Sequence, residues 1–211
     1  MTILNKTGTG LIYNDNGMFF NEKTHAWVLG SSAEGLEQHK RLTAYEAAES
    51  IICNRHGRKL PVGVIGPNEA SDAELASAHA VGAAIAKLGL PMICGGRGGA
   101  MAAASQGHAE AGGTVIGILP SGDWSTANPH VAIPIATGLG EARNVIIASA
   151  CFALIAVGGG HGTLSEMALG LKLERLVIAM PCAQLISGAL SCGTVNEAME
   201  AVAARYLGLD A

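Results

Sequence analysis

The sequence predicts an α/β fold of the Rossmann-like, doubly wound kind, in which helices cover both faces of a mainly parallel sheet. Two observations lead to it. Short segments that are apolar throughout alternate with helical segments, as in parallel sheets buried on both faces. Glycine-rich loops follow two of these apolar segments, and such sheets bind ligands at the carboxyl ends of their strands. The chain has 211 residues, 49% of them hydrophobic, which is enough for a packed core.

A small N-terminal decoration is predicted for residues 1–60. It combines a hairpin, whose polar turn lies at residues 14–17, with a short strand and one helix. The strands are expected at 11–13, 18–20 and 26–29, and the helix at 41–54.

The Rossmann-like domain itself is predicted for residues 61–211. A capping box formed by Ser71 and Glu74 marks the start of its first helix. Apolar strands and amphipathic helices then alternate to the end of the chain. The strands are expected at 61–65, 91–94, 114–119, 131–135, 151–157 and 176–180, and the helices at 71–88, 100–111, 141–149, 163–174 and 195–206.

The composition excludes nucleic acid and membranes as partners. Lys and Arg number 13 against 17 Asp and Glu, so the net charge is −4 and no broad basic surface is expected. The longest apolar run, residues 145–157, is shorter than the ~20 residues that span a bilayer. No signal-peptide pattern opens the chain. Five widely spaced cysteines, an odd number, indicate reduced thiols and a cytoplasmic protein.

No metal site is expected. His108 and Glu110 match half of the zinc deaminase motif, but its second half would need a P-C-x-x-C sequence. After Pro181 and Cys182, Leu185 stands where the second cysteine belongs. The sequence therefore predicts neither a metal nor a required cofactor.

The most informative segment is the glycine-rich loop at 158–162, between an apolar strand and a helix. Glycine lets the backbone turn sharply and approach a ligand, and the free N–H groups of a helix start favour an anion. The alternatives are a tight turn without a ligand and, for His161, a side chain in solvent. The predicted phosphate contacts are Gly159, Gly160, His161, Gly162 and Thr163.

This loop is not a known nucleotide fingerprint. Thr163 stands where G-x-G-x-x-G needs its last glycine, and no Gly-Lys-Ser/Thr occurs in the chain. The sequence motifs that usually indicate NAD binding and ATP hydrolysis are therefore not found in this loop.

Other loops are expected to reach the same ligand. In the second glycine loop, Arg97 either supplies positive charge or is a surface residue. Residues 121–129 are expected to form a lid, where Trp124 either stacks on a ring system or only anchors the loop. The further predicted contacts are Gly96, Gly98, Thr137 and Gly138.

Residues 158–166 resemble the P-G-G-x-G-T-x-x-E signature of the Lonely Guy family. Those proteins are cytokinin riboside monophosphate phosphoribohydrolases, related to bacterial nucleotide monophosphate nucleosidases. Segments 95–101 and 107–113 resemble the same family, as does Arg143, upstream of Glu166. The resemblance covers roughly residues 60–179.

A sister branch is similar in finer detail. Residues 136–144, and Gly158 where the signature has proline, resemble the branch that includes the molybdenum cofactor carrier proteins. Members of these families form at least dimers. The resemblance, together with alanine-rich helical segments at 100–111 and 198–204, implies a homodimer or a higher homo-oligomer.

The resemblance implies roles for two charged residues. A carboxylate near the anomeric carbon stabilises the positive sugar ring formed when an N-glycosidic bond breaks. Glu166 is assigned this catalytic role, the alternative being a helix cap with Thr163. Arg143 is expected to orient Glu166 or the ligand, unless it forms a structural salt bridge. Asn144 either binds the base or ribose, or is a helix-surface amide.

Two functions follow from this pattern. The first is hydrolysis of a nucleoside 5′-monophosphate to a free base and ribose 5-phosphate. The second is a non-catalytic carrier whose cargo is molybdenum cofactor or a related phosphorylated pterin. A ligand-sensing oligomer is a third hypothesis. All three require a small phosphorylated ligand.

Overall fold

A computed structural model describes residues 4–6, 12–16, 18–29, 40–53 and 58–209. The chain divides into two compact units. One comprises Leu60–Ala198, and the other combines the N-terminal segment with the last residues, from Met199 on.

The smaller unit contains a five-stranded antiparallel sheet. The predicted hairpin is present. In its turn, the Asn14 side-chain oxygen accepts hydrogen bonds from the backbone N–H groups of Asn16 and Met18, both at 3.0 Å. Gly17 of the turn lies outside the described residues. The predicted helix begins later than expected, because residues 40–42 form an edge strand. The elements are β1 (Leu4–Lys6), β2 (Ile12–Asn14), β3 (Met18–Asn21), β4 (Ala26–Leu29), β5 (Lys40–Leu42) and α1 (Ala44–Cys53).

The larger unit is built on a seven-stranded parallel sheet, which confirms the predicted fold class. Its central strands are buried along their whole length, as expected for a sheet covered on both faces. The strand order is β12-β11-β10-β6-β7-β8-β9. The strands are β6 (Val62–Ile65), β7 (Met92–Cys94), β8 (Val115–Leu119), β9 (Ile133–Ala136), β10 (Ala153–Ala156), β11 (Leu176–Ala179) and β12 (Leu190–Ser191).

The helices alternate with these strands. The capping box predicted at the start of the first one is present: the Ser71 N–H donates to Glu74 Oε2 at 2.8 Å, and Ser71 Oγ accepts the Glu74 N–H at 3.4 Å. The helix expected at 141–149 begins with a 3₁₀ turn, Gly140–Arg143. The helices are α2 (Asp72–Lys87), α3 (Gly99–Glu110), α4 (Asn144–Ala150), α5 (His161–Lys172) and α6 (Val195–Tyr206), whose residues from Met199 on belong to the smaller unit. Among the described residues, none of these helices combines the length and the apolar character needed to cross a membrane.

Helices α2 and α3 pack so closely that their backbones touch. A Cβ built on Gly82 would overlap the Ala104 carbonyl oxygen, and one on Gly107 would overlap the His79 carbonyl oxygen. Ala100 and Ala104 are fully buried within the chain. These small residues of α3 therefore serve packing within the chain, and self-association stays a prediction.

This crossing gives a test of the fold. Gly82→Ala is expected to lower the free energy of unfolding by about 1–3 kcal/mol, because the added methyl group must push α3 away. Glycine to alanine ordinarily stabilises a helix interior by ~1 kcal/mol, so the sign of the effect is diagnostic. Urea denaturation measures it, with Ala80→Ser on the exposed side of α2 as the control. A gain in stability for Gly82→Ala would contradict the packing described here.

Candidate functional site

A cleft lies at the point where the strand order reverses. From β6 the chain moves outward through β7 and β8 to β9, and then returns to place β10 on the other side of β6. In open parallel sheets, ligands bind beside such a switch point, at the carboxyl ends of the strands. The cleft here has a volume of about 170 Å³. Its lining residues are Gly66, Pro67, Asn68, Arg97, Met101, Glu141, Arg143, Asn144, Gly160, Gly162, Thr163 and Glu166.

The first turn of α5 faces this cleft. Gly160 precedes the helix in an extended conformation (φ −119°, ψ −152°), and its lack of a side chain leaves the helix without a side-chain cap. Gly159 has φ +126°, and a Cβ there would overlap the Thr163 side chain, so the turn requires glycine. The N–H groups at a helix start carry partial positive charge. No side chain at the cap position accepts a hydrogen bond from these N–H groups, so the turn offers them as donors to an anion.

Arg143 lies buried at the side of the cleft. Its Nη1 is 3.5 Å from Glu166 Oε1 and also contacts Asn144 Oδ1. A Cβ on Gly95 would lie only 2.7 Å from Arg143 Nη2, so glycine in the second loop makes room for the guanidinium. Within the described part of the chain, the Arg143 Nε atom has no hydrogen-bond partner. The guanidinium thus retains an unused donor.

Glu166 is not a helix cap. It is the sixth residue of α5, and its side chain is buried beside Arg143. Burial raises the pKa of Glu166 to about 7, the Arg143 charge opposes this rise, and the Glu141 charge adds to it. The capping-box alternative for Glu166 is therefore excluded by the helix boundary.

The raised pKa of Glu166 makes stability depend on pH. Because the folded value of about 7 lies above the ordinary 4.5, the folded protein binds the proton more tightly than the unfolded chain. The free energy of unfolding should fall as pH rises through this window, by up to about 3 kcal/mol, and level off above it. Urea denaturation of the parent and of Glu166→Gln isolates this contribution, since the other titrating groups are common to both. An equal pH dependence of the two proteins would contradict the assigned pKa.

A second charge pair stands at the rim of the cleft. Arg97 Nη1 is 3.3 Å from Glu141 Oε1, and both side chains are exposed. Asn128 holds the Arg97 loop, because its Nδ2 donates to the Arg97 carbonyl oxygen at 3.0 Å and its N–H donates to the Gly96 carbonyl oxygen at 2.9 Å. Exposed ion pairs contribute little to stability, so an anionic ligand can compete with Glu141 for Arg97.

The cleft unites seven of the predicted site residues and leaves six outside its lining. Those in the lining are Arg97, Arg143, Asn144, Gly160, Gly162, Thr163 and Glu166. The others are Gly96, Gly98, Thr137, Gly138, Gly159 and His161.

Several of the outlying residues have protein partners. The Gly98 N–H donates to Asn68 Oδ1 at 3.1 Å, and the Gly138 N–H donates to the Ser121 carbonyl oxygen at 3.1 Å. The Thr137 hydroxyl donates to the Leu119 carbonyl oxygen at 2.7 Å. Their contact with a ligand stays a prediction. Trp124, on the expected lid, is 68% exposed and does not line the cleft either.

Five lining residues were not predicted from the sequence. Gly66, Pro67 and Asn68 follow β6, and the rule that ligands bind at strand ends could have included them. Met101 and Glu141 lie in segments that resemble known families, but only the tertiary fold shows that these two residues line the cleft.

The two residues of the zinc motif half have different surroundings. His108 is buried, with Nδ1 3.0 Å from the Gly82 carbonyl oxygen, whereas Glu110 lies on the surface, 2.9 Å from His79. Across the described residues, no group of three or more metal-ligating side chains is present.

Comparisons with known proteins agree with this architecture. An uncharacterized protein from Archaeoglobus fulgidus is 41% identical over 140 residues, which are 66% of this chain and 92% of that protein. The structure of the molybdenum cofactor binding protein from Rippkaea orientalis matches with a TM-score of 0.65 and 36% identity, over 69% of this chain and 96% of that one. The molybdenum cofactor carrier protein from Chlamydomonas reinhardtii matches with a TM-score of 0.66 and 38% identity, over 72% and 100%.

These matches confirm the superfamily and the branch that the sequence resembles. The model of the SLOG cluster4 family matches residues 59–203, which include every residue that lines the cleft. This chain belongs to the SLOG cluster4 family.

Proposed function

We propose that this protein binds a small phosphorylated pterin of the molybdenum cofactor class and carries it without turnover. The observation that supports this most is the uncapped first turn of α5, which faces the cleft together with Arg97 and Arg143. A phosphate there would accept backbone hydrogen bonds from the helix start and charge-assisted bonds from the arginines. The similarity to two molybdenum cofactor proteins over nearly their whole length suggests the pterin.

The size of the cleft bears on how such a ligand binds. Its 170 Å³ is below the ~300–1,000 Å³ of pockets that enclose drug-sized ligands. The enclosed part therefore suits the phosphate end, and the ring system would extend over the rim at Arg97 and Glu141. A cargo that is partly exposed can be handed to an acceptor.

The raised pKa of Glu166 is compatible with both candidates. A pKa of about 7 leaves the group partly ionised at neutral pH, so a carboxylate that could stabilise a positive sugar ring is present in part of the molecules. A neutral carboxyl, in contrast, does not repel a bound phosphate. Gly158, at the position of the signature's proline, is a departure from the hydrolytic family.

Hydrolysis of a nucleoside 5′-monophosphate is the second candidate, supported by the buried pair of Arg143 and Glu166. Ionised Glu166 would stabilise the sugar cation as the N-glycosidic bond breaks, and water would then attack the anomeric carbon. The products are the free base and ribose 5-phosphate. Such activity would rise as pH increases through about 7, the pKa of Glu166.

One experiment separates the two candidates. The purified protein is titrated with molybdenum cofactor under anaerobic conditions, and is incubated separately with AMP, GMP and CMP while base release is followed. We expect saturable cofactor binding, retained by Glu166→Gln, and no base release. If the parent protein releases base, Glu166→Gln does not, and no cofactor binding is found, the carrier function is overturned and the hydrolase is established.

A further inference from the structure

The loop before α5 departs from the Lonely Guy signature for a reason visible in the structure. Gly158, which replaces the signature's proline, has φ +68°. Proline cannot adopt this angle, because its ring fixes φ near −65°. A Cβ on Gly158 would also overlap Glu74 Oε1. The backbone conformation therefore requires glycine here, and the Glu74 carboxylate occupies the space that a side chain would take.

Glu74 uses its two carboxylate oxygens for different neighbours. Oε2 accepts the Ser71 N–H at 2.8 Å and the Ser71 hydroxyl at 2.9 Å, which completes the cap of α2. Oε1 faces Gly158. The hydrogen bonds from Ser71 hold the pKa of Glu74 below its ordinary value, and the Gly159 N–H lowers it further. A capping box needs only the first of these interactions, so the second calls for its own explanation.

The position of Glu74 provides that explanation. Helix α2 follows β6 and the glycine loop follows β10, and these two strands flank the switch point. Neither Glu74, Gly158 nor Gly159 lines the cleft, whereas Gly160 does. The carboxylate thus engages the loop from outside, just before the residues that face the ligand.

We infer that Glu74 is a positioning residue of the anion site. It holds Gly158 and Gly159 in the conformation that directs the following amides, from Gly160 to Thr163, towards the cleft. The part of this inference that concerns ligand affinity rests on the proposed function. The part that concerns the loop does not.

The test compares Glu74→Ala with Ser71→Ala, which weakens the α2 cap but leaves the Glu74 carboxylate beside the loop. In the ligand-free protein, Glu74→Ala should raise amide hydrogen exchange on the order of tenfold at Gly159, whose N–H faces Glu74, and at Leu164, whose N–H donates to the Gly160 carbonyl oxygen at 3.0 Å. Glu74→Gln should partly restore protection, because its amide oxygen still accepts a hydrogen bond. Ser71→Ala should leave exchange in this loop unchanged.

Binding is measured on the same variants with inorganic phosphate and AMP as probes. Glu74→Ala should raise their dissociation constants by about tenfold relative to Ser71→Ala. Equal amide exchange in the glycine loop of Glu74→Ala and of Ser71→Ala would overturn the inference. Tighter phosphate binding by Glu74→Ala would overturn it too, because the carboxylate would then compete with the ligand. If the parent binds neither probe, the exchange data still decide the role of Glu74, and only the proposed function fails.

Discussion

Arg143→Ala is expected to weaken binding of a phosphorylated ligand by a hundredfold or more. The guanidinium is buried at the cleft, has an unused Nε donor among the described residues, and lies 3.5 Å from Glu166. Truncating one partner of a buried charge pair that forms across a binding interface, here Arg143 and the ligand's phosphate, costs about 2–5 kcal/mol in affinity. Calorimetric titration with molybdenum cofactor measures the change.

Arg175→Ala is a suitable control for loss of a cation. Arg175 donates to the Ser149 carbonyl oxygen at 3.0 Å and does not line the cleft. Circular dichroism would establish that both variants fold. A folded Arg143→Ala protein with the parent's affinity would show that the guanidinium is not a ligand contact.

The second large effect is expected from His161→Pro. Proline is favoured at the first position of a helix, and Gly160 before it has no Cβ to clash with the proline ring, so α5 should form as before. The substitution removes one backbone N–H from the helix start. Losing a hydrogen bond to a charged acceptor should weaken phosphate binding by ten- to a hundredfold.

His161→Ala is the matched control, because it removes the imidazole and keeps the N–H. It should bind the ligand like the parent if the backbone is responsible. Equal loss of affinity in both variants would assign the contact to the side chain and would contradict an amide site.

Much of the sheet could be predicted because each strand is a short apolar run between polar or glycine-rich segments. The strand β12 was missed, since two residues carry no periodicity. Helix α5 begins at His161, two residues before the sequence suggested, because a glycine at 162 is typical of a loop while the helix start is defined by backbone hydrogen bonds.

The site was predictable only in part. The glycine loop could be predicted from its composition. The pairing of Arg143 with Glu166, 23 residues apart, was suggested by a family resemblance, because no spacing rule predicts it. The role of Glu74 could not be foreseen. Its capping box is a local motif, whereas its contact with Gly158 depends on β6 and β10 being neighbours.

The proposed anion site depends most on the backbone donors at the start of α5, and amide NMR observes them directly. The isotope-labelled protein is titrated with AMP and, separately, with molybdenum cofactor. We predict saturable shifts of the amide resonances of residues 160–163. The side-chain N–H resonances of Arg143 should shift in the same titration. Saturable binding that leaves these amides unshifted, with changes confined to another surface, would contradict the assignment of the site.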